Sequence, residues 1–379
     1  MARRILYLVS EDWYFVSHRL PMARAARDAG HDVHVATRIG NYADAITREG
    51  FALHPIHWRR GNLNPVRFLA AVLETRRVYR QVSPDLVHHV ALVPTLIGSL
   101  ASLGLPVVRL NALAGLGFAF TSETAKARAV RPLARLLLRR LLKRPRTTVL
   151  VQNPDDYAMM AKLGVPKDNI ALIPGSGVDT GLLTPLAEPA GPFTIAFVGR
   201  LLDDKGVRTL VRAHELLARR GLPVRTLLAG DPDPSNPASI PDAVLDRWRR
   251  IPDLQLLGHV ADIRDVWASA HVAVLPSRRE GLPKSLLEAA ACGRPLIATD
   301  VPGCREIARN GANALLVPVD DADALADAIQ MLLNDASLRR RFGSASRTIV
   351  MSEFSSERVA GGITSLYSRL LEQAPSSKL

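Results

Sequence analysis

An apolar run from Ile5 to Val9 opens the chain, and short runs of the same kind recur along its first half: HDVHVAT, FALHPI, DLVHHV, VVRLNA, TTVLVQ and NIALIPG. Between them lie stretches whose apolar residues repeat at helical spacing: one from Ser17 to Ala29 closed by Gly30, one around residues 65–81, one near 125–144 and one after TTVLVQ. Strands separated by helices pair in parallel through right-handed crossovers, which predicts a doubly wound α/β domain. Residues 174–192, PGSGVDTGLLTPLAEPAGP, are rich in Gly and Pro without a sustained period, so the chain is expected to cross between domains there. A second series follows: FTIAFVGR, a helix over 206–220, VRTLLAG, LQLLG, VAVLPS, PLIATD and ALLVPV, each strand followed by a helical segment. The expected organisation is a Rossmann-like domain over 1–178, a linker over 179–192 and a second such domain over 193–350. Helices fill about 321–349, and a last helix, 355–373, is expected to pack back onto the first domain.

A length of 379 residues suits two domains, and 47% hydrophobic residues suffice for two cores. Only Cys292 and Cys304 occur, at no zinc or redox spacing, which fits a reducing compartment and argues against a disulfide scaffold. Glu11 and Asp12 follow the first apolar run directly, so that run reads as a buried strand and not as a signal peptide. No apolar stretch approaches membrane-spanning length. The net charge of +13 is lopsided: residues 1–180 hold 25 Lys and Arg against 13 Asp and Glu, and residues 181–379 hold 24 against 23. The first half is therefore expected to meet an anionic partner.

Ligands of open parallel sheets bind outside the carboxyl ends of the strands, so two such sheets suit a transferase with a donor domain and an acceptor domain. In the second half, FVGRLLDDKGV turns from a strand into a helix and carries Arg200 and Lys205, two cations fitted to a diphosphate. A solvated loop with two ordinary cations is the bland alternative. Downstream, EGLPKSLLEAAACGRPLIATD places Glu280 and Glu288 eight positions apart, about two helical turns, so both can address one elongated ligand. Gly281 permits close backbone approach, Leu282 and Pro283 lead into a helix start, and the amides of Lys284 and Ser285 are offered to phosphate or sugar oxygens. Glu288 stands among Leu286, Leu287, Ala289, Ala290 and Ala291, a setting in which a carboxylate usually has an assigned partner.

GRLLDDKG together with EGLPKSLLEAAACGRPLIATD resembles the donor site of the retaining glycosyltransferases of GT-B fold known as family 4, and the resemblance runs along the whole chain. It implies that Arg200 and Lys205 bind the donor diphosphate and act in catalysis, that Glu280 holds the transferred sugar, and that Glu288 holds the ribose. LLGHVADI, with Leu257, Gly258 and Val260, occupies the place where the family cradles the base, with Gly230 close by. The resemblance implies a family that usually needs no metal, and no metal-ligand spacing is present; the expected cofactor is none beyond the nucleotide sugar, itself expected to be a UDP-sugar. In the first half, SHRLPMARAARDAGHDVHVAT and NALAGLGFAF resemble a bacterial branch that extends sugars on polyprenyl diphosphate, N-acetylgalactosaminyltransferases included. That makes His18, Gly115 and Gly117 candidates on the acceptor side. Ser10 to Trp13 replace the usual glycine-rich loop, and Val93 stands where the branch often has a lysine. His88 and His89 end the DLVHHV run; related enzymes carry a sugar-contacting histidine hereabouts, and His89 is expected to leave the strand on its loop side and take part in catalysis, against the plainer reading of a structural histidine.

KARAVRPLARLLLRRLLKRPR interleaves cations with leucines, Leu133, Leu137, Leu138, Leu141 and Leu142 gathering on one helical face. It reads as a basic amphipathic helix lying on an anionic membrane through Arg135, Arg139, Arg140 and Lys143, or as a core helix with a solvated basic face. The expected activity is transfer of a sugar, an N-acetylhexosamine from its UDP form, to a polyprenyl-diphosphate-linked glycan. It would occur on the cytoplasmic side of the inner membrane, in O-antigen, capsule or exopolysaccharide assembly. A soluble or different lipid acceptor is the nearest alternative. A polyanion-binding protein is opposed by an aromatic content of 5% and the lack of a stacking motif, so no nucleic-acid partner is expected. A dehydrogenase is opposed by the lack of G-x-G-x-x-G after the first strand.

Overall fold

The computed structural model describes residues 2–58, 64–113, 136–234 and 236–372. The chain divides into two compact units, Met1–Ser176 with Glu357–Leu379, and Gly177–Ser356.

Among the described residues the first unit holds β1 (Arg4–Leu8), β2 (Asp32–Thr37), β3 (Ala52–Pro55), β4 (Leu86–Val90), β5 (Val108–Ala112), β6 (Thr147–Val151) and β7 (Ile170–Leu172). They form one sheet in the order β3-β2-β1-β4-β5-β6-β7. Every pairing is parallel, with Leu8 opposite Ala36 on one side and His89 on the other. Because side chains alternate along a strand, β1 feeds two cores. Ile5 and Tyr7 join Val9, Phe15, Met22, Val359, Ile363 and Tyr367. Leu6 and Leu8 join Val78, Tyr79, Val82 and Ile97 on the other face. The helix Ser356–Glu372 therefore belongs to the first unit's core, and its Tyr367 hydroxyl lies 2.6 Å from that of Tyr7.

One expected helix is two. The stretch read from Ser17 to Ala29 breaks at Arg19 (φ −125°, ψ −13°) into Asp12–His18 and Leu20–Asp28. Pro21 is the cause: it lacks the N–H that would bond to Ser17, and its ring crowds that carbonyl.

The second unit holds β8 (Thr194–Val198), β9 (Arg225–Ala229), β10 (Leu254–Gly258), β11 (Val272–Leu275), β12 (Leu296–Thr299) and β13 (Ala314–Val317), in the order β10-β9-β8-β11-β12-β13. All its pairings are parallel too, around a single core that includes Phe197, Leu228, Trp267, Leu287 and Ile329. Each apolar run read as a strand is a strand, and the α/β class with two doubly wound sheets holds.

Segment 179–192 is not a free linker. Leu186 N–H donates to the Cys292 carbonyl at 3.1 Å, Arg347 reaches the carbonyls of Leu183 and Thr180 at 2.6 and 2.9 Å, and Arg294 reaches that of Ala187 at 2.7 Å. A Gly- and Pro-rich composition marks a segment without a period of its own, and here that segment is fastened to the second unit by three buried or half-buried arginines, Arg339 on Glu188 being the third.

Candidate functional site

The second sheet reverses its strand order at β8, whose neighbours are β9 on one side and β11 on the other. That is the place where the loops leaving adjacent strands diverge and open a crevice. The loop after β8, residues 199–206, reaches both ways. At its start Leu201 N–H donates to the Asp231 carbonyl at 2.9 Å, and Arg200 Nη1 lies 2.6 Å from Asp233 Oδ2, so it is tied to the loop after β9. At its end Lys205 Nζ lies 2.6 Å from Glu280 Oε1 in the loop after β11, and Arg278 N–H donates to the Asp204 carbonyl at 2.9 Å. Gly206 makes this junction possible. It has φ +69°, and a Cβ there would stand 1.9 Å from the Pro276 carbonyl oxygen.

Glu280 is the centre of the row. Ser277 Oγ also donates to its Oε1, at 2.7 Å, while Oε2 accepts no bond among the described residues. The side chain is 9% exposed and that of Lys205 24%. A carboxylate so placed faces a cation and still has acceptor capacity for a hydroxyl. The loop after β12 closes the other flank: Thr299 Oγ1 donates to the Ser277 carbonyl, and Gly303, at φ +81°, lies so close that a Cβ would sit 2.4 Å from the Gly281 carbonyl oxygen.

Leu282 and Pro283 lead into the helix Lys284–Ala291, which has Pro283 at its N-cap and no side-chain cap. Amides of a first helical turn have no partner within the helix and face the positive end of its dipole, an arrangement suited to an anion; Lys284 and Ser285 stand there. One turn on, Glu288 lies 3.5 Å from Lys284 Nζ, with 14% of its side chain exposed. Burial raises its pKa above the ordinary carboxylate value, and the Lys284 charge counters only part of that. On the β9 and β10 side, Gly230 N–H donates to the Gly258 carbonyl at 2.8 Å, and the pairing shifts register between Leu256 and Gly258. Leu257 is left 39% exposed beside this turn, while Val260 packs against the core. The residues read as base, diphosphate, sugar and ribose contacts thus follow one another along the carboxyl ends of β10, β9, β8 and β11.

Sequence reasoning missed Ser277, Asp233 and Gly303. Only Gly303 carried a signal, a glycine directly before a short helix. Both cysteines are buried, and burial lifts the Cys292 thiol to about 11 and that of Cys304 well above its usual range, so neither is a thiolate at neutral pH. Among the described residues no three His, Cys, Asp or Glu side chains gather as a metal site.

The first unit corrects the histidine expectation. His89 does not leave the strand: it lies within β4, fully buried, with Nδ1 2.7 Å from Asn111 Oδ1 and Nε2 2.8 Å from the Tyr79 hydroxyl. Burial, with Arg109 adding to it against the Asn111 bond, lowers its pKa to about 4. His88, equally buried, stacks on Tyr7 and meets the Tyr367 hydroxyl at 2.6 Å, and burial holds it well below its ordinary value. Both are neutral core side chains. His18 ends the helix Asp12–His18, half-buried and stacked on Tyr14 with ring centres 4.2 Å apart. Gly115, Gly117 and Arg135 lie outside the described residues.

The amphipathic helix is corrected in part. Residues 136–142 are helical, but Leu138 and Leu142 are buried against Val149, Val151, Met160 and Ile170, and Leu141 is buried too. The leucine face over these residues is core, not a lipid-facing surface, while Arg139, Arg140 and Lys143 are exposed. Among the described residues no helix is long and apolar enough to cross a membrane.

Comparison with known proteins agrees with this geometry. The family model described as "Glycosyl transferases group 1" matches residues 192–335, and the one described as "Glycosyl transferase 4-like" matches residues 4–153. The chain is 31% identical over 182 residues to the capsular polysaccharide biosynthesis glycosyltransferase CapM of Staphylococcus aureus, a match that covers 48% of this chain and spans about half, 47%, of that relative. It is 25% identical over 335 residues to the N,N'-diacetylbacillosaminyl-diphospho-undecaprenol alpha-1,3-N-acetylgalactosaminyltransferase of Campylobacter jejuni, covering 85% of this chain and 87% of the relative. Among solved structures, HepE of Anabaena in complex with UDP-glucose superposes with a TM-score of 0.77 at 18% identity, over 97% of this chain and 100% of that one. With a glycosyltransferase family model on each unit and a shared fold along nearly its whole length, the chain belongs to the group 1 glycosyltransferases of GT-B fold.

Proposed function

We propose that the chain moves an N-acetylhexosamine from its UDP form, with retention of configuration, onto a polyprenyl-diphosphate-linked acceptor during assembly of a bacterial surface polysaccharide, be it O-antigen, capsule or exopolysaccharide. The observation that carries this reading is the Lys205–Glu280–Ser277 cluster at the point where the second sheet reverses its strand order. The Campylobacter relative, named for a diphospho-undecaprenol acceptor and an N-acetylgalactosamine donor, supports the lipid-linked acceptor and the amino sugar. The UDP-glucose complex of the Anabaena neighbour supports a UDP-sugar donor.

The diphosphate would lie over the uncapped start of the helix Lys284–Ala291, with Lys205 and Arg200 as its counter-charges. Arg200 and its partner Asp233 form an ion pair whose arginine is 43% exposed, so turning the guanidinium onto phosphate sacrifices little. Glu280 Oε2 would accept from a sugar hydroxyl, Glu288 from the ribose, and Leu257 would cover the base. As the bond from the anomeric carbon to the diphosphate oxygen breaks, negative charge grows on the diphosphate, where the two cations and the helix start stabilise it. The acceptor hydroxyl attacks from the same face and its proton passes to the departing diphosphate oxygen, so no enzyme nucleophile and no metal is required. His18 would stand on the acceptor side, and the exposed Arg139, Arg140 and Lys143 would hold the enzyme at the inner face of the cytoplasmic membrane by charge alone.

The test is transfer from a panel of UDP- and GDP-sugars to an undecaprenyl-diphosphate-linked monosaccharide, with the product's anomeric configuration read by NMR and EDTA added in parallel. Turnover of one UDP-N-acetylhexosamine with retention, unaffected by EDTA, is expected. Inversion, or turnover only with GDP-sugars or a lipid-free acceptor, would overturn it.

A further inference from the structure

At the amino ends of β5 and β6, away from the loops that follow the strands, the first unit holds an open pocket of about 430 Å³ between the turn 104–107 and the turn 144–146. Three arginines line it, Arg109, Arg144 and Arg146, and no carboxylate does. Arg109 is 5% exposed and fixed from behind: Nε donates to the Ser102 hydroxyl at 2.7 Å and Nη2 to the Ser102 carbonyl at 2.8 Å. Its remaining nitrogen, Nη1, has no acceptor among the described residues, and none of the three is paired with an acidic side chain there. The backbone holds the group together, with Arg109 N–H donating to the Arg146 carbonyl at 2.9 Å and Arg146 itself at φ +55°.

Guanidinium groups gathered in one hollow repel each other, and burial together with the charges of Arg144 and Arg146 presses the pKa of Arg109 down. A fold that collects such charges without a counter-ion is built to receive an anion, and planar forks with a pre-positioned member suit phosphate oxygens. We propose that Arg109, Arg144 and Arg146 form a second anion site, for a single phosphate group, at the end of the first sheet opposite its acceptor-side loops. The exposed Arg139, Arg140 and Lys143 on the preceding turns extend the same positive surface, so the phosphate has two possible sources: a soluble phosphate compound or the headgroup of a lipid. The site does not depend on the donor reading above.

The experiment measures both sources on the full chain. Inorganic phosphate is titrated calorimetrically into wild type, Arg144→Ala, Arg146→Gly and Arg247→Ala, the last changing an exposed arginine of the second unit that lies outside the donor site. The same proteins, with an Arg139→Ala/Arg140→Ala double variant, are floated with phosphatidylcholine vesicles with and without phosphatidic acid. Arg146→Gly removes the guanidinium while suiting the left-handed backbone, so lost binding there is not lost folding. A drop of about tenfold or more in Arg144→Ala and Arg146→Gly but not in Arg247→Ala is expected. Seen with inorganic phosphate it assigns a soluble ligand; seen only with phosphatidic acid, and exceeding the loss in the double variant, it assigns a headgroup. Wild type binding neither probe, variants binding like wild type, or equal loss in the double variant would overturn the site.

Discussion

At the carboxyl end of β4 two adjacent histidines are sealed in the core, three of their four ring nitrogens meeting Asn111, Tyr79 and Tyr367. At the carboxyl end of β11 a serine and a lysine converge on one oxygen of Glu280 and leave the other without a partner among the described residues. Both sites end a buried parallel strand in a doubly wound sheet. The first spends its polar groups on the protein and is held neutral; the second sets a lysine against a carboxylate and keeps acceptor capacity in reserve. Polar side chains at a strand end become a ligand site when the fold leaves them something to bind with, and residue type alone does not decide that.

The sharpest way to break this contrast is Lys205→Ala. It removes the cation facing Glu280 and one counter-charge of the leaving group, and should lower turnover about 10²–10³-fold; steady-state rates on the preferred donor check it, and an unchanged rate would mean that the cluster is scaffold. Next comes Gly206→Ala, which forces a Cβ to 1.9 Å from the Pro276 carbonyl at a left-handed position. A loss of about 2–4 kcal/mol in chemical denaturation is expected.

His89→Gln should cost about 1–3 kcal/mol of stability and leave the donor KM unchanged. It also has a pH signature. The folded-state value of about 4 lies below the ordinary histidine value of 6.5, so between them the unfolded chain binds a proton that the folded chain does not. Stability is full above 6.5 and declines as pH falls towards 4, and denaturant midpoints across that window should slope less in the variant. The smallest effect belongs to Glu288→Gln. A raised carboxylate pKa means the folded chain keeps its proton to higher pH than the unfolded one, so a penalty sets in as pH rises above the ordinary 4.5. The ligand-free variant should melt above wild type at pH 7 by an amount of the order of 1 kcal/mol or less, the gap closing below pH 4.5, while its affinity for UDP falls.

The strands were legible because each is an apolar run bounded by helical stretches, and Arg200, Lys205, Glu280 and Glu288 were legible as residues of two motifs. The contact between the motifs was not. Lys205 meets Glu280 across 75 positions only because β8 lies beside β11, and strand order is a property of the folded sheet. His89 was misread for the same reason: Asn111 and Tyr79 become its neighbours through β5 and a helix packed on the sheet. The leucine face near residue 138 has the same periodicity whether it meets lipid or core, and only Val149, Met160 and Ile170 across from it decide which. The helix break at Arg19 was present in the sequence as Pro21.

Calorimetric titration of UDP-N-acetylhexosamine into wild type, Lys205→Ala and His89→Gln tests the contrast most directly. Binding lost in Lys205→Ala and kept in a folded His89→Gln is the predicted result; binding kept in Lys205→Ala and lost in His89→Gln would contradict it.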